Sequence, residues 1–252
     1  MLAAGLECQN RSMTGALYLG TSGFAYNEWK GPFYPNDLKQ KDMLPFYAGR
    51  FSSVEINYTF RQQPAEETLT TWREATPDGF LITLKAHQLI THWLRLADAD
   101  EAVANFLDRA KTLGSRLGAI LFQCPPNLPF DRALIDNFLG FLPPMYRYAF
   151  EFRHESWGQA REILSEQGAA WCLAETDEKP ASDEPIPAEP FAYLRLRKES
   201  YTDDELEAWG KRITQALDQD RDVFCYFKHE EKGAGPIFAE RMAAVIDALA
   251  AG

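Results

Sequence analysis

Short runs of β-forming residues alternate with amphipathic segments along the whole chain, and this rhythm constrains the fold more than any other feature. The segments between the runs have apolar residues at helical spacing, as in DEAVANFLDRAKTLG (100–114). Eight strands, each followed by a crossover, predict a parallel sheet closed into a (β/α)8 TIM barrel. The predicted strands are LYLGT (17–21), SVEIN (53–57), FLITLK (80–85), GAILFQ (118–123), YAFEF (148–152), AWCLAE (170–175), FAYLRLR (191–197) and VFCYFK (223–228).

A doubly wound sheet is the alternative architecture for the same alternation. It is less favoured because no glycine-rich dinucleotide-binding fingerprint follows any predicted strand. We therefore predict a single barrel domain over residues 17–250. Residues 1–16 have neither a basic start nor an apolar stretch of the length that a secretory signal needs, and they are expected to form a flexible N-terminal segment.

Two segments depart from the regular repeat. EKPASDEPIPAEP (178–190) carries prolines and acidic residues where helix 6 should lie, so this helix is expected to be irregular or missing. SGFAYNEWKGPFYPNDLKQ (22–40) follows strand 1 and is long for a barrel loop. Loops of that length are usually functional or disordered, and its five aromatic residues argue against disorder.

The net charge of −11 argues against a general electrostatic grip on nucleic acid or an anionic membrane. No apolar run is long enough to span a bilayer. Four widely spaced cysteines, Cys8, Cys124, Cys172 and Cys225, form no CxxC pair and favour a reduced protein. The expectation is a cytoplasmic protein without a membrane partner, whose ligand is a small anionic or phosphate-bearing molecule, with nucleic acid disfavoured by the charge.

Charged residues stand at the ends of otherwise apolar strands. In YAFEFRHESW (148–157), Glu151 and Arg153 share one face, whereas Phe150 and Phe152 share the other, because successive strand residues point to opposite sides. If the phenylalanines pack beneath helices, the charged pair points into the barrel at its C-terminal mouth, where TIM-barrel active sites lie. The pattern recurs at Glu55 and Asn57, Lys85 and His87, Arg195 and Arg197, and Lys228.

These positions supply the candidate catalytic and anion-binding residues. A general base is expected at Glu151 or Glu55, and a general acid at His154 or His92, since the pKa of histidine lies near neutrality. Arginine and lysine bind phosphate or carboxylate groups well. The expected cradle consists of Lys85, Arg153, Arg195, Arg197 and Lys228. Alternatively, these cations only neutralise Glu55, Glu151, Glu175 and Asp177.

The loop after strand 1 and one amide add further ligand-binding candidates. Thr21 and Ser22 could offer hydroxyls and backbone N–H groups to a phosphate, or the turn could merely let the chain leave the strand. Gln123 is a candidate amide donor. Tyr26 and Trp29 could stack on a base or sugar, whereas a hydrophobic lid on the barrel rim is the competing interpretation for such aromatic residues.

Taken together, the motifs resemble those of the YecE-like family, also called domain of unknown function 72. The motifs are GTSGFAYNEWKGPFYP (20–35), VEINYTF (54–60), ITH (90–92), QCPP (123–126) and EFRHESW (151–157). The resemblance implies a TIM barrel of the metal-isomerase and endonuclease sort and brings no settled activity. By position it marks Thr21, Ser22, Gly23, Tyr26, Trp29, Glu55, Asn57, Thr59, His92, Gln123, Glu151, Arg153, His154 and Trp157.

Two places differ from the family pattern. Arg-Leu-Arg-Lys (195–198) stands where the family often has Arg-x-His-Gly, and Lys-His-Glu (228–230) stands where an asparagine-rich turn is common. Both changes add positive charge.

Three functions from different classes follow from these residues. The first is an enzyme that hydrolyses a phosphoester or nucleic-acid fragment. The second is a non-catalytic binder of a phosphorylated ligand or single-stranded nucleic acid. The third is a metal-dependent sugar isomerase or lyase, with Glu55, Glu151, Asp177 and a histidine as ligands, although nearby lysine and arginine would repel a cation. No cofactor is predicted with certainty, and a divalent metal is kept as the less favoured alternative.

Overall fold

The computed structural model describes residues 13–180, 186–187, 189–228 and 233–251. All eight predicted strands are present, and each of their ends lies within one residue of the predicted position. They are β1 (Leu17–Thr21), β2 (Ser53–Ile56), β3 (Leu81–Lys85), β4 (Leu117–Gln123), β5 (Arg147–Glu151), β6 (Ala169–Glu175), β7 (Ala192–Leu196) and β8 (Val223–Phe227).

The strands form one parallel sheet in the order β1-β8-β7-β6-β5-β4-β3-β2. A bridge between Ser22 and Glu55 and a 2.7 Å hydrogen bond from Gly23 N to the Glu55 carbonyl join β1 to β2. Gly20 is required at this seam, because a Cβ there would lie 1.9 Å from the Ser53 carbonyl oxygen. The predicted TIM barrel is therefore confirmed.

The helices lie between the strands as the sequence predicts. They are α1 (Gln40–Ala48), α2 (Glu66–Glu74), α3 (Asp100–Ala110), α4 (Arg132–Gly140), α5 (Ala160–Glu166), α6 (Asp203–Asp218) and α7 (Ala234–Ala251). Between β6 and β7, the described residues of 176–191 contain no helix, in agreement with the expected irregular unit. Residues 181–185 and 188 of that unit lie outside the described residues.

Alternation along the strands separates two apolar regions. Phe150 and its outward-facing counterparts pack in the larger core, which also contains the buried helix residues. The barrel interior holds a smaller cluster that includes Leu121, Tyr193 and Tyr226. Near its middle, the Tyr226 hydroxyl lies 2.7 Å from Ser53 Oγ and 2.8 Å from Thr83 Oγ1. The interior is thus filled below the mouth, so a ligand that contacts the inward-facing residues has to do so at the strand ends.

The predicted N-terminal segment falls partly inside the described chain. Gly15 N donates to the Leu217 carbonyl at 3.0 Å, and Ala16 N donates to Asp222 Oδ1 at 3.0 Å. Residues 13–16 therefore contact the barrel, whereas residues 1–12, with Cys8, lie outside the described residues. Cys124, Cys172 and Cys225 are buried free thiols. None of the helices in the described ranges combines the length and hydropathy that a membrane span requires.

Candidate functional site

Arg195 is the centre of a charged cluster at the C-terminal mouth of the barrel. Its side chain is 1% exposed and lies inside the barrel near the end of β7. Nη1 donates to Glu151 Oε2 at 2.5 Å, and Nη2 donates to Glu55 Oε1 at 2.8 Å and to Asn57 Oδ1 at 3.4 Å. One guanidinium thus links strands β2, β5 and β7 at the level where the sequence predicts a site.

Glu55 is fully buried and accepts hydrogen bonds on both carboxylate oxygens. Ser22 Oγ donates to Oε1 at 2.6 Å, and the Tyr193 hydroxyl donates to Oε2 at 2.6 Å. Burial raises the pKa of Glu55, but the Arg195 guanidinium and these hydroxyl donors outweigh it and hold the pKa below its usual value. Glu55 is therefore an ionised anchor and a weak base.

Glu151 is surrounded by three guanidinium groups. Besides Arg195, Arg153 Nε donates to its Oε1 at 3.1 Å, and Arg197 Nη2 donates to the same oxygen at 3.2 Å. Burial raises the pKa of Glu151, but the charges of Arg195, Arg197 and Arg153 outweigh it and hold the pKa far below its usual value. Its outer arginines extend from the buried pair towards solvent, and 40% of the Arg153 side chain is exposed.

Lys85 enters the same region from the end of β3 without a carboxylate as its hydrogen-bond acceptor. Its Nζ donates to Gln123 Oε1 at 2.8 Å and lies 4.0 Å from the centroid of the Phe60 ring. Arg153 Nη2 donates to the same Gln123 oxygen at 3.0 Å. Burial, followed by the charge of Arg195, lowers the pKa of Lys85 to about 7. The amine is therefore partly neutral near physiological pH.

Cationic groups outnumber the acids in this charged cluster, which consists of Glu55, Lys85, Glu151, Arg153, Arg195 and Arg197. The two carboxylates balance only two of the four basic side chains. Even with Lys85 neutral, one positive charge is left over within a chain whose net charge is −11. The arginines thus neutralise Glu55 and Glu151, as the structural interpretation of the sequence expects, and an excess of positive charge is left among these six residues. Glu175, buried at the end of β6, accepts instead from Trp209 Nε1 at 3.0 Å.

The histidines are placed differently from one another. His92 packs edge-on against Phe60 with ring centroids 4.9 Å apart, and its Nδ1 lies 2.9 Å from Thr91 Oγ1. Burial, then the charges of Lys85 and Arg153, lowers the pKa of His92. The ring is therefore neutral at pH 7 and borders the charged cluster.

His154 takes part in local hydrogen bonds at the start of a 3-10 helix, Glu155–Gln159. Its Nδ1 accepts from Ser156 N at 3.3 Å and lies 2.8 Å from Ser156 Oγ. That nitrogen is therefore occupied by a capping interaction, which sequence reasoning did not anticipate. His87 Nε2 lies 3.2 Å from the Arg61 carbonyl, and His229 lies outside the described residues.

The remaining predicted ligand residues mostly have structural partners. Thr21 Oγ1 donates to the Gly23 carbonyl at 2.7 Å and lies 2.8 Å from the Tyr47 hydroxyl. The Tyr26 hydroxyl donates to the Ser22 carbonyl at 3.0 Å. The Lys228 backbone N–H donates to the Leu196 carbonyl at 3.0 Å, which places Lys228 at the barrel mouth.

Trp29 is 1% exposed, and its ring packs against Tyr26, Phe33 and Tyr34. The loop after β1 thus contains a layer of aromatic rings that packs against helix α1 through Phe46. This packing agrees with the lid interpretation for Trp29. Tyr26 is only half-buried and stays a candidate for ligand contact.

The third hypothesis expected a metal bound by Glu55, Glu151 and Asp177. The first two carboxylates instead accept hydrogen bonds from Arg195, whereas the exposed Asp177 accepts one from Glu199 N at 2.9 Å. Across the described ranges, no three His, Cys, Asp or Glu side chains are grouped so that they could hold a metal ion. The arginine contacts disfavour a cation at this position, because like charges repel.

Comparison with known proteins places this barrel among related chains. The family described as "Protein of unknown function DUF72" matches residues 18–251. The chain belongs to the DUF72 family. The resemblance seen in the sequence motifs is thereby confirmed.

This DUF72 protein is similar to the UPF0759 protein YunF of Bacillus subtilis (strain 168), with 23% identity over 92% of this chain and 95% of YunF. Its fold is similar to the crystal structure of the DUF72 family protein TM1631 from Thermotoga maritima MSB8. That match has 25% identity and a TM-score of 0.79 over 92% of this chain and 99% of TM1631. The DUF72 family protein EF0366 from Enterococcus faecalis V583 shares the fold at 17% identity, with a TM-score of 0.75 over 94% of this chain and 99% of that one.

A cleft of about 690 Å³ lies on the β1–β2 side of the DUF72 barrel, and none of the six residues of the charged cluster lines it. It lies between the loop after β1, helix α1 and the segment from β2 to α2, and Asn57 lines it. Since Asn57 Oδ1 also accepts from Arg195, this residue joins the cleft to the cluster. The volume is within the range of small-molecule sites. The lining is largely apolar and includes Phe24, Tyr26, Leu44, Ile56, Tyr58 and Trp72.

Sequence reasoning missed two contributors to the site of this DUF72 protein. Tyr193 shares its strand face with Arg195, so the same alternation rule could have identified it. Phe60 belongs to the VEINYTF motif, but no local pattern indicates that its ring would cover Lys85. Both were overlooked because their roles depend on partners from distant strands.

Proposed function

We propose that the barrel mouth binds a small molecule carrying a phosphate or carboxylate group, and that the protein is an enzyme acting on this molecule. The observation that carries the proposal is the excess of cationic over anionic side chains in the charged cluster. Arg153 and Arg197 are the outer members of that cluster, and both contact Glu151 through a single oxygen. A ligand anion near them would gain charge-assisted hydrogen bonds.

The cleft on the β1–β2 side supports a small organic ligand as the occupant. Its apolar lining suits an uncharged portion of the molecule, and Asn57, which lines the cleft and accepts from Arg195, would lie between that portion and an anionic end bound by the outer arginines. A long polyanion is a poorer candidate, because the net charge of −11 opposes binding beyond the mouth. Nucleic acid is therefore the less favoured partner.

The assignment of acid and base roles changes with the geometry. Glu55 and Glu151 are the general bases expected from the sequence, but hydrogen-bonded carboxylates of lowered pKa accept protons poorly. Lys85 is better suited to proton transfer near pH 7, since its pKa is lowered to about 7, and His92 offers a neutral ring nitrogen because its pKa is lowered from an already near-neutral value. Phosphoester hydrolysis is the second candidate function, favoured by a neutral His92 that can take a proton from water.

Calorimetric titration with inorganic phosphate tests the binding proposal. Arg153→Gln should lower phosphate affinity roughly tenfold or more, because a hydrogen bond to a charged group contributes about 1.5–3 kcal/mol. Arg132→Gln is the matched control, since Arg132 is an exposed arginine that pairs with Asp136 on α4. Equal affinity in both variants and the unmodified protein would contradict the proposal.

A hydrolysis assay tests the second candidate function. If the rate of p-nitrophenyl phosphate hydrolysis is unchanged in His92→Ala, His92 is excluded as the base.

A further inference from the structure

We propose that Lys85 forms an imine with the substrate, and that the substrate is therefore a small aldehyde or ketone carrying the anionic group. The anionic part of this inference rests on the proposed function. The carbonyl part rests on the surroundings of Lys85 alone. Lys85 is the last residue of β3 and lies at the C-terminal mouth of the barrel, where the active sites of TIM-barrel enzymes lie.

Lys85 differs from the other lysines in its burial and its hydrogen-bond partner. Within the described ranges it is the one buried lysine, with 8% of its surface exposed. Lys111, Lys198 and Lys211 are ion-paired with Asp108, Glu205 and Glu207 respectively. The Lys85 amine instead contacts the neutral amide of Gln123 and the face of Phe60. Neither contact is an ion pair.

The charges around Lys85 favour the neutral amine, which is the nucleophilic form. Burial lowers the pKa of Lys85, and the guanidinium groups of Arg195 on β7 and Arg153 after β5 lower it further. Glu55 and Glu151 act in the opposite direction, but both are already paired with Arg195. His92, on the segment after β3, packs against the same Phe60 ring as Lys85, and its pKa is lowered, which favours the uncharged imidazole. Desolvation and a neighbouring cation are the established ways of activating a lysine nucleophile.

Gln123 connects this nucleophile to the anion-binding arginine. Its Oε1 accepts from Lys85 Nζ at 2.8 Å and from Arg153 Nη2 at 3.0 Å, so a single oxygen separates the two nitrogens. A carbonyl compound whose anionic group binds Arg153 would therefore have its reactive carbon close to Lys85. Such positioning is worth a large part of a reaction barrier.

Imine formation balances without a further reactant. The nitrogen lone pair of neutral Lys85 attacks the carbonyl carbon, and one amine proton moves to the carbonyl oxygen to give a carbinolamine. The carbon–oxygen bond then breaks, a carbon–nitrogen double bond forms, and the second amine proton leaves with the oxygen as water. No oxidation or reduction occurs. The resulting imine withdraws electrons from the neighbouring carbon.

Reductive trapping tests the inference. The full chain is incubated at pH 7 with glycolaldehyde phosphate and cyanoborohydride, and modified lysines are located by peptide mass spectrometry. Lys85 should be modified faster than the exposed Lys39. Lys85→Met, which keeps the length of the side chain without a nucleophile, should lose this modification while its circular dichroism spectrum stays unchanged. Modification of Lys85 that is no faster than that of Lys39 would overturn the inference.

Two further arms separate this inference from the proposed function. The first arm uses propionaldehyde, which lacks an anionic group. If it modifies Lys85 as fast as glycolaldehyde phosphate does, and inorganic phosphate does not slow the modification of Lys85, imine formation stands and anion binding fails. If phosphate binds by calorimetry but Lys85 stays unmodified, anion binding stands and the imine is excluded.

A pH profile tests the role of Arg153. The pH at which the trapping rate is half-maximal should rise in Arg153→Gln, because a cation that favours the neutral amine is removed. An unchanged midpoint would contradict the role given to Arg153.

Discussion

Nη1 of Arg195 lies 2.5 Å from Oε2 of Glu151, and both side chains are almost completely buried. The two residues are 44 positions apart in the chain and come from strands β7 and β5. Buried charges of this kind are stable only when each has partners, since their desolvation is costly. The pair therefore stabilises the mouth from within and holds Glu151 in place for the outer arginines, Arg153 and Arg197.

Removing the Arg195 guanidinium should destabilise the protein strongly. Arg195→Met leaves Glu55 and Glu151 buried without their shared partner, and breaking a buried pair in this way costs about 3–5 kcal/mol. Urea denaturation would measure the loss. Arg132→Met is the control and should change the free energy of unfolding by less than about 1 kcal/mol, because its ion pair is exposed. A loss as small as that of the control would mean that the cluster contributes little to stability.

Acid should weaken the protein through the same carboxylates. The folded-state pKa values of Glu55 and Glu151 lie below the ordinary value of 4.5, so their stabilisation is complete above that pH and is lost as the pH falls through the lower folded values. Glu151→Gln should consequently cost less stability at pH 3 than at pH 7. Urea denaturation at both pH values measures the difference. A cost that is equal at both pH values would show that Glu151 is not held ionised by the arginines.

Alkaline pH should increase the stability of the protein through Lys85. Its folded-state pKa of about 7 lies below the ordinary value of 10.5, so the unfolded chain binds more protons between these values. Stability contributed through Lys85 therefore rises as the pH increases from 7 to 10. Relative to Lys85→Met, the unmodified protein should gain stability over this range in urea denaturation. A constant difference would indicate a lysine of ordinary pKa.

Trp29 tests whether the loop after β1 is a structural lid. Trp29→Ala should destabilise the protein by about 3–5 kcal/mol, as expected for a buried tryptophan. Trp93→Ala is the matched control, because Trp93 is 65% exposed and should cost no more than about 0.5 kcal/mol. Similar losses in the two variants would show that the packing around Trp29 is not required for folding.

The fold could be predicted closely because it depends on local periodicity. Glu151 and Phe150 lie on opposite faces of β5, as alternation along the strand requires, and their burial inside and outside the barrel follows from it. The prolines between β6 and β7 signalled the lack of a helix among the described residues of that segment. These features need no knowledge of which strands become neighbours.

The site was less accessible to sequence reasoning because its contacts join distant strands. The alternation rule places Arg195 inside the barrel, but only the register of β2, β5 and β7 shows that it is shared by Glu55 and Glu151. That sharing lowers the basicity expected of the two carboxylates. It also leaves Lys85, first regarded as a plain cation, as the group most suited to chemistry near neutral pH.

The most direct test of the anion-binding mouth is the location of a bound anion. Crystals soaked in tungstate, a phosphate analogue with a strong anomalous signal, would show where the anion binds. The account predicts an anomalous peak in contact with Arg153 and Arg197, which disappears in crystals of Arg153→Gln. Tungstate bound elsewhere on the protein, with none at the mouth at millimolar concentration, would contradict the central claim.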